Sequence, residues 1–138
     1  MAEKVIIYQD KSFRTVFRAA DPNAEEQEDP ENITQLHALT PYGMLLASLG
    51  SCTAIVLNSY ARNHNIPLRG VTVECTYDRA FVEDCDDCDP ENEYEEIIRE
   101  SLSFEGDLDP SQQKRLHQIA KACSVRRMLE GGIRVESA

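Results

Sequence analysis

From Pro41 to Ala61 the chain carries no charged residue, and its apolar residues recur there with a helical period. Leu45, Leu49, Cys52, Val56 and Tyr60 follow one another at steps of four, three, four and four, which defines one face of a helix. Leu46, Thr53 and Leu57 make a second stripe beside it. Ala47, Ser48, Gly50, Ser51 and Ala54 are small, so other elements can approach this backbone closely. Thr40 suits the N-cap and Pro41 the first helical position. The helix is expected to end near Asn63–Asn65, ahead of Pro67. At about 1.5 Å per residue it is also long enough to cross a bilayer. A lone span would, however, place Ser48, Gly50, Ser51, Thr53, Asn58 and Ser59 in lipid at a cost. The preferred reading is therefore a central helix inside a soluble protein, with no membrane partner.

The rest of the chain supplies what covers that helix. Lys4–Gln9 and Ser12–Ala20 read as a hairpin turning at Asp10-Lys11. The acidic run Asp21–Glu31, which contains Pro22 and Pro30, reads as a loop, and Asn32–Leu39 as a third strand. Beyond the helix, Leu68–Arg79 alternates, with Val71, Val73, Cys75 and Tyr77 on one side. Glu93–Glu105 is a further strand carrying Ile97, Ile98, Leu102 and Phe104. A second helix opens with Asp109 as N-cap, Pro110 at the first position and Gln112 in the capping-box position. Its apolar face is read as Leu116, Ile119, Ala120 and Cys123. Ser124–Leu129 reads as a further turn of helix, Gly131-Gly132 as a break, and Ile133–Glu136 as a last strand. The expected class is α+β, and 138 residues make one domain spanning 1–138.

A formal charge of −11 excludes nucleic acid as a natural partner, because no basic face exists to replace phosphate counterions. The acidity is local: ten carboxylates between Glu83 and Glu100 face Arg99 alone. Such runs are usually solvated loops that keep a protein dispersed. Met1–Lys11 has no hydrophobic region of signal-peptide length. The five cysteines are odd in number and irregular in spacing, a pattern of free or catalytic thiols in a reducing compartment, hence cytoplasmic.

Each of those cysteines has a bland explanation. Free cysteine is among the most buried residue types and behaves as a small hydrophobe, which suits Cys52, Cys75 and Cys123 taken singly. As a pair, Cys52 and Cys123 gain meaning, because two helices packed across one core can bring two thiols together. Cys85 and Cys88 form a CxxC within Glu83–Asp89. Zinc takes four ligands and this motif supplies half of them, so no cofactor is required, with zinc at Cys85/Cys88 as the alternative. Flanking carboxylates also oppose a thioredoxin-like use. His37, His64 and His117 are scattered, and no phosphate-binding glycine loop, GxSxG or HExxH occurs.

Two segments together resemble the osmotically inducible protein C / organic hydroperoxide resistance (OsmC/Ohr) family. The first is TPYGMLLASLGSCTAIVLNSYARNHNIPLRGVTVECTYDR, residues 40–79. The second is SFEGDLDPSQQKRLHQIAKACSVRRML, residues 103–129, with its CSV-x-x-x-L ending. The resemblance implies an OsmC-like α+β fold: an N-terminal β-meander, a long central helix, further strands and a second helix, intertwined as a homodimer. It implies an antioxidant, stress-response enzyme, a thiol-dependent peroxidase that reduces organic hydroperoxides with a dithiol as reductant. Cys52 becomes the peroxidatic thiol and Cys123 the resolving thiol, joined in a disulfide during turnover. The family draws an activating arginine from an early strand across the dimer. Arg14 and Arg18 are the candidates here, and Arg18 is preferred. Tyr42, Leu49 and Val56 are the expected substrate-pocket residues.

Activation is a physical requirement, since a thiol of pKa about 8.5 is only about 3% thiolate at pH 7. Cys52 stands three turns into its own helix, too far from that N-terminus for its dipole to help. Many relatives carry a glutamate shortly after the proline that opens this helix, where this chain has Tyr42 and Gly43. That departure keeps a second reading open, a non-catalytic or redox/metal-sensing binding module using Cys85/Cys88. A third is a thiol enzyme acting on another electrophile.

Overall fold

The computed structural model describes residues 3–22, 24, 28–81 and 94–138. Among these residues five strands and three helices follow in the order β1 (Glu3–Asp10), β2 (Thr15–Ala19), β3 (Glu31–Ile33), α1 (Pro41–Asn63), β4 (Gly70–Phe81), β5 (Tyr94–Glu105), α2 (Pro110–Ala120) and α3 (Ser124–Gly131). The strands form one antiparallel sheet in the spatial order β3-β2-β1-β4-β5. This is the α+β architecture expected.

Alternation decides which way the sheet faces. Glu3, Val5, Ile7 and Gln9 of β1 are buried, as are Val71, Val73, Cys75 and Tyr77 of β4, and α1 packs across these two strands. Register pairs Ile7 with both Phe17 and Val73, so the apolar rows of neighbouring strands align. Buried Gln9 is satisfied: its amide donates to the Thr15 hydroxyl at 2.9 Å, and its carbonyl oxygen accepts from the Asn58 amide of α1 at 2.9 Å.

α1 begins as its sequence directs, with the Thr40 side chain accepting from the Gly43 N–H at 3.0 Å. The Thr40 hydroxyl donates in turn to the buried carboxylate of Glu3. The helix is long and apolar enough to cross a membrane, yet half of its most apolar stretch is buried within the protein. The two stripes exchange rank relative to the sequence reading. Leu46, Leu49, Gly50, Thr53, Leu57 and Ala61 are buried, whereas Leu45, Cys52, Val56 and Tyr60 are half-buried. The reason is the small-residue side of the helix: a Cβ built on Gly50 would lie 2.3 Å from Ile7 Cδ1. The α1 backbone therefore rests directly on β1. The flank with Cys52 and Tyr60 turns to α3 and α2, where it meets Ser124 and Arg115.

Four local expectations are revised. The second strand is shorter, because the Asp10 carboxylate accepts from the Ser12 and Arg14 amides at 2.8 and 3.1 Å, and Phe13 sits at φ 65°. Asn32–Leu39 is not a continuous strand: β3 ends at Ile33 and Leu36–Ala38 form a turn of 3-10 helix. Ile133–Glu136 is not a strand. Ile133 and Val135 are 68% and 86% exposed, and no strand edge pairs with them among the described residues. Finally, Cys123 is not on the apolar face of α2. The Lys121 and Ala122 amides bond back three residues, to Gln118 and Ile119, which tightens and ends α2 at Ala120. Cys123 is instead the extended N-cap residue of α3.

Candidate active site

That displacement of Cys123 builds the site. At φ −60°, ψ 127° the residue turns the chain so that α3 starts against the middle of α1. Cys123 is fully enclosed, at 0% exposure, with its thiol donating to the Leu49 carbonyl at 4.0 Å. Cys52 is half-buried, and its sulfur lies 3.7 Å from the Ser124 hydroxyl. Both thiols are free.

The two sulfurs are electrostatically unequal. Burial works against ionisation of Cys52, but the Cys123 thiol, the Val125 N–H and both the hydroxyl and N–H of Ser124 outweigh it, so the pKa falls below the ordinary value. The amides are the orphan donors at the start of α3, where a helix carries partial positive charge. At Cys123 burial and the neighbouring Cys52 raise the pKa, against opposition from the Arg126 N–H and the Thr53 hydroxyl. One thiol is thus half-buried and eased toward ionisation, the other enclosed and held back from it.

Within one copy, the groups beside Cys52 differ from the arginines named from the sequence. Arg18 is exposed on β2 and donates to the Pro30 carbonyl at 3.3 Å, and Arg14 is exposed beside the first turn. The donors to Cys52 come from α3. Sequence reasoning missed Ser124, whose signal was its place in the CSV motif. It missed Arg126 two residues on, and it counted Thr53 only as part of a stripe.

A cavity of about 460 Å³ is lined among others by Tyr42, Leu45, Leu49, Tyr77, Glu100 and Arg126, and it shares Leu49 with the Cys123 site, though neither thiol lines it. Tyr42 and Leu49 are therefore brought together, whereas Val56, half-buried further along α1, does not line this space. Tyr42 stacks on Tyr77 with centroids 4.7 Å apart, and its hydroxyl accepts from Arg79 at 3.0 Å. Arg126 pairs with Glu130 at 2.8 Å. Glu100 accepts from the Thr53 hydroxyl at 2.9 Å; burial raises its pKa, with Thr53 and Arg126 opposing.

Cys75 is buried on β4, and desolvation, followed by the charge of Glu100, drives its pKa far up, so it is inert. Cys85 and Cys88 lie outside the described residues. Among the described residues no group of three or more His, Cys, Asp or Glu side chains converges as a metal site.

The family model for OsmC-like protein matches residues 30–138. The chain belongs to the OsmC-like family. Its fold is similar to that of an OsmC-like hydroperoxide resistance protein from Jannaschia sp. CCS1, with a TM-score of 0.63 and 16% identity, covering 97% of this chain and 90% of that one. It is also similar to a protein from Psychrobacter arcticus 273-4, described provisionally as an osmotic stress induced and detoxification response protein. There the TM-score is 0.52 and the identity 22%, covering 84% of this chain and 72% of that one. Comparison with curated proteins returns no match. Both motifs that frame the thiol pair lie inside the OsmC-like match, so the site belongs to the shared part of the chain.

Proposed function

We propose that this OsmC-like chain is a thiol peroxidase that reduces organic hydroperoxides. The observation that carries the reading is the unequal thiol pair at the start of α3: a Cys52 sulfur surrounded by donors, beside an enclosed Cys123. The Cys52 thiolate attacks the distal peroxide oxygen, the O–O bond breaks, and the alkoxide leaves as an alcohol after taking a proton. Cys52 is then a sulfenic acid. Cys123 attacks its sulfur, forming the disulfide and releasing water, which protects Cys52 from further oxidation. A dithiol reduces the disulfide and restores both thiols, so the cycle calls for no bound cofactor. The apolar lining from Tyr42, Leu45, Leu49 and Tyr77 favours organic peroxides, because hydrogen peroxide gains nothing from hydrophobic contact. The name of the Jannaschia neighbour, a hydroperoxide resistance protein, agrees with this chemistry. A cytoplasmic homodimer, in which Arg18 of one copy reaches the site of the other, completes the proposal.

Stopped-flow kinetics test it. Cumene hydroperoxide should react at least tenfold faster than hydrogen peroxide, in line with the transfer energy of its ring. Cys52→Ser should lose turnover, and Cys123→Ser should consume one equivalent and stop at sulfenic or sulfinic acid. Full turnover by Cys52→Ser refutes the assignment.

A further inference from the structure

Another cavity, of about 420 Å³, lies at the C-terminal end of α1, and no cysteine lines it. Four stretches of chain wall it: the β1–β2 turn with Lys11, the last turns of α1 with Asn58 and Arg62, the connector with Leu68 and Arg69, and Asp107 after β5. Backbone bonds tie these stretches together. The Lys11 N–H donates to the Arg69 carbonyl at 3.0 Å, and the Arg69 N–H to the Glu105 carbonyl at 2.8 Å. Gly106, at φ 141°, lets the loop of Asp107 press on the connector, since a Cβ there would lie 2.1 Å from the Pro67 carbonyl oxygen. The Arg62 guanidinium is steadied 5.1 Å from the centroid of the Phe13 ring.

In a chain of formal charge −11 this wall is positive, with three cations against one carboxylate. Lys4, Arg79, Arg126 and Arg134 each pair with a glutamate elsewhere. Among the described residues none of Lys11, Arg62 and Arg69 forms an ion pair. Three cations around a closed-in space suit one small anion, not the phosphate backbone of a polymer.

The direction of one hydrogen-bond chain shows what the buried wall adds. The Phe13 carbonyl can only accept, so the single Thr15 hydroxyl proton goes to it, at 3.1 Å. The Thr15 oxygen then accepts from the Gln9 amide, and the Gln9 carbonyl from the Asn58 amide, each at 2.9 Å. This order fixes which way the Asn58 amide faces and leaves its Oδ1 without a donor among the described residues. Asn58 is 4% exposed. The one fully buried side-chain atom without a partner among the described residues is Glu3 Oε2, so Asn58 Oδ1 still meets open space. The cavity is the space that Asn58 lines.

We propose that this cavity binds a small phosphate-bearing anion, with its charge met by Lys11, Arg62 and Arg69 and a hydroxyl of the ligand donating to Asn58 Oδ1. The inference is independent of the peroxidase reading, because no residue of this wall takes part in the thiol cycle. Inorganic phosphate brings the donor as its own O–H. A polyol phosphomonoester brings it on the organic part, for which the volume and the apolar side of Leu68 leave room. Sulfate has the size and charge of phosphate but carries no proton at neutral pH.

Calorimetric titration of the full chain at pH 7.5 with phosphate, glycerol 3-phosphate and sulfate tests this. Phosphate or the ester should bind at least fivefold more tightly than sulfate, the worth of one hydrogen bond. A tighter ester identifies an organic phosphate as the ligand, and tighter inorganic phosphate the free ion. Lys11→Gln combined with Arg69→Gln should weaken binding about tenfold, about threefold for each partly exposed charge. Cys52 alkylation in that double variant should match the parent, which separates lost binding from misfolding. In the parent protein the Asn58 side-chain amide NMR signals should shift with phosphate and stay still with sulfate, a readout that needs no variant. Sulfate binding as tightly as phosphate, no binding of either phosphate ligand, or full affinity in the double variant overturns the proposal and leaves the thiol chemistry untouched.

Discussion

Replacing Gly50 by alanine adds one methyl group at the tightest contact between α1 and the sheet. An ideal Cβ there would lie 2.3 Å from Ile7 Cδ1, 3.0 Å from Ile7 Cγ1 and 3.2 Å from Cys75 Sγ. The first distance is more than about 1 Å shorter than carbon atoms normally pack. Ile7 is fully buried, so its side chain has no open space to move into. Alanine is worth about 1 kcal/mol over glycine within a helix. Overpacking a filled core costs about 1–3 kcal/mol. The contact dominates, and a net loss of about 1 kcal/mol is expected, read as a melting temperature lower by about 4 °C. Because α1 also carries Cys52 and Thr53, lifting it from β1 should slow Cys52 alkylation as well. Gly131→Ala is the control: a Cβ there meets nothing within 4 Å, so it should leave stability unchanged or slightly raised. Thermal and urea denaturation measure both variants. A Gly50→Ala protein as stable as the parent, or more so, refutes the claim that the helix backbone rests on β1.

Two further outcomes follow from the site. The depressed Cys52 pKa means that iodoacetamide alkylation, which tracks thiolate, should rise with pH and level off below the ordinary inflection near 8.5. Ser124→Ala removes one donor to the anion, so the inflection should move upward and the rate at pH 7 should fall about threefold, the worth of a partly exposed hydrogen bond to charge. An unmoved inflection removes Ser124 from the activation argument. Tyr42→Ala takes away a wall of the cavity together with its stacking on Tyr77. The preference for cumene over tert-butyl hydroperoxide should then change at least threefold, about the worth of one aromatic contact. Equal effects on both substrates would mean that Tyr42 does not shape the pocket.

Much of this architecture was legible in the residues. The charge-free helical run, its Thr40-Pro41 start, the alternation of β4 and the Asp109-Pro110 capping box depend on contacts within a few residues of each other. Local chemistry therefore suffices to place them. The misread pieces were those settled by distant partners. Ile133–Glu136 has strand-like residues, but a strand exists only where another edge receives it. Cys123 continued the period of α2 on paper, while in the fold a tightened turn ended that helix first. The burial of α1's two stripes was likewise decided by which side carries Gly50 opposite Ile7.

By itself the sequence determined the central helix and the strand pattern, because each is written in side chains that act on their immediate neighbours. Only the tertiary structure decided that the start of α3 faces Cys52, and that Thr53 bonds Glu100. A thiol's acidity is set by charge and donors within a few ångströms. Those groups come from residues more than 40 positions apart along the chain, assembled only once α1 lies on the sheet and α3 against α1.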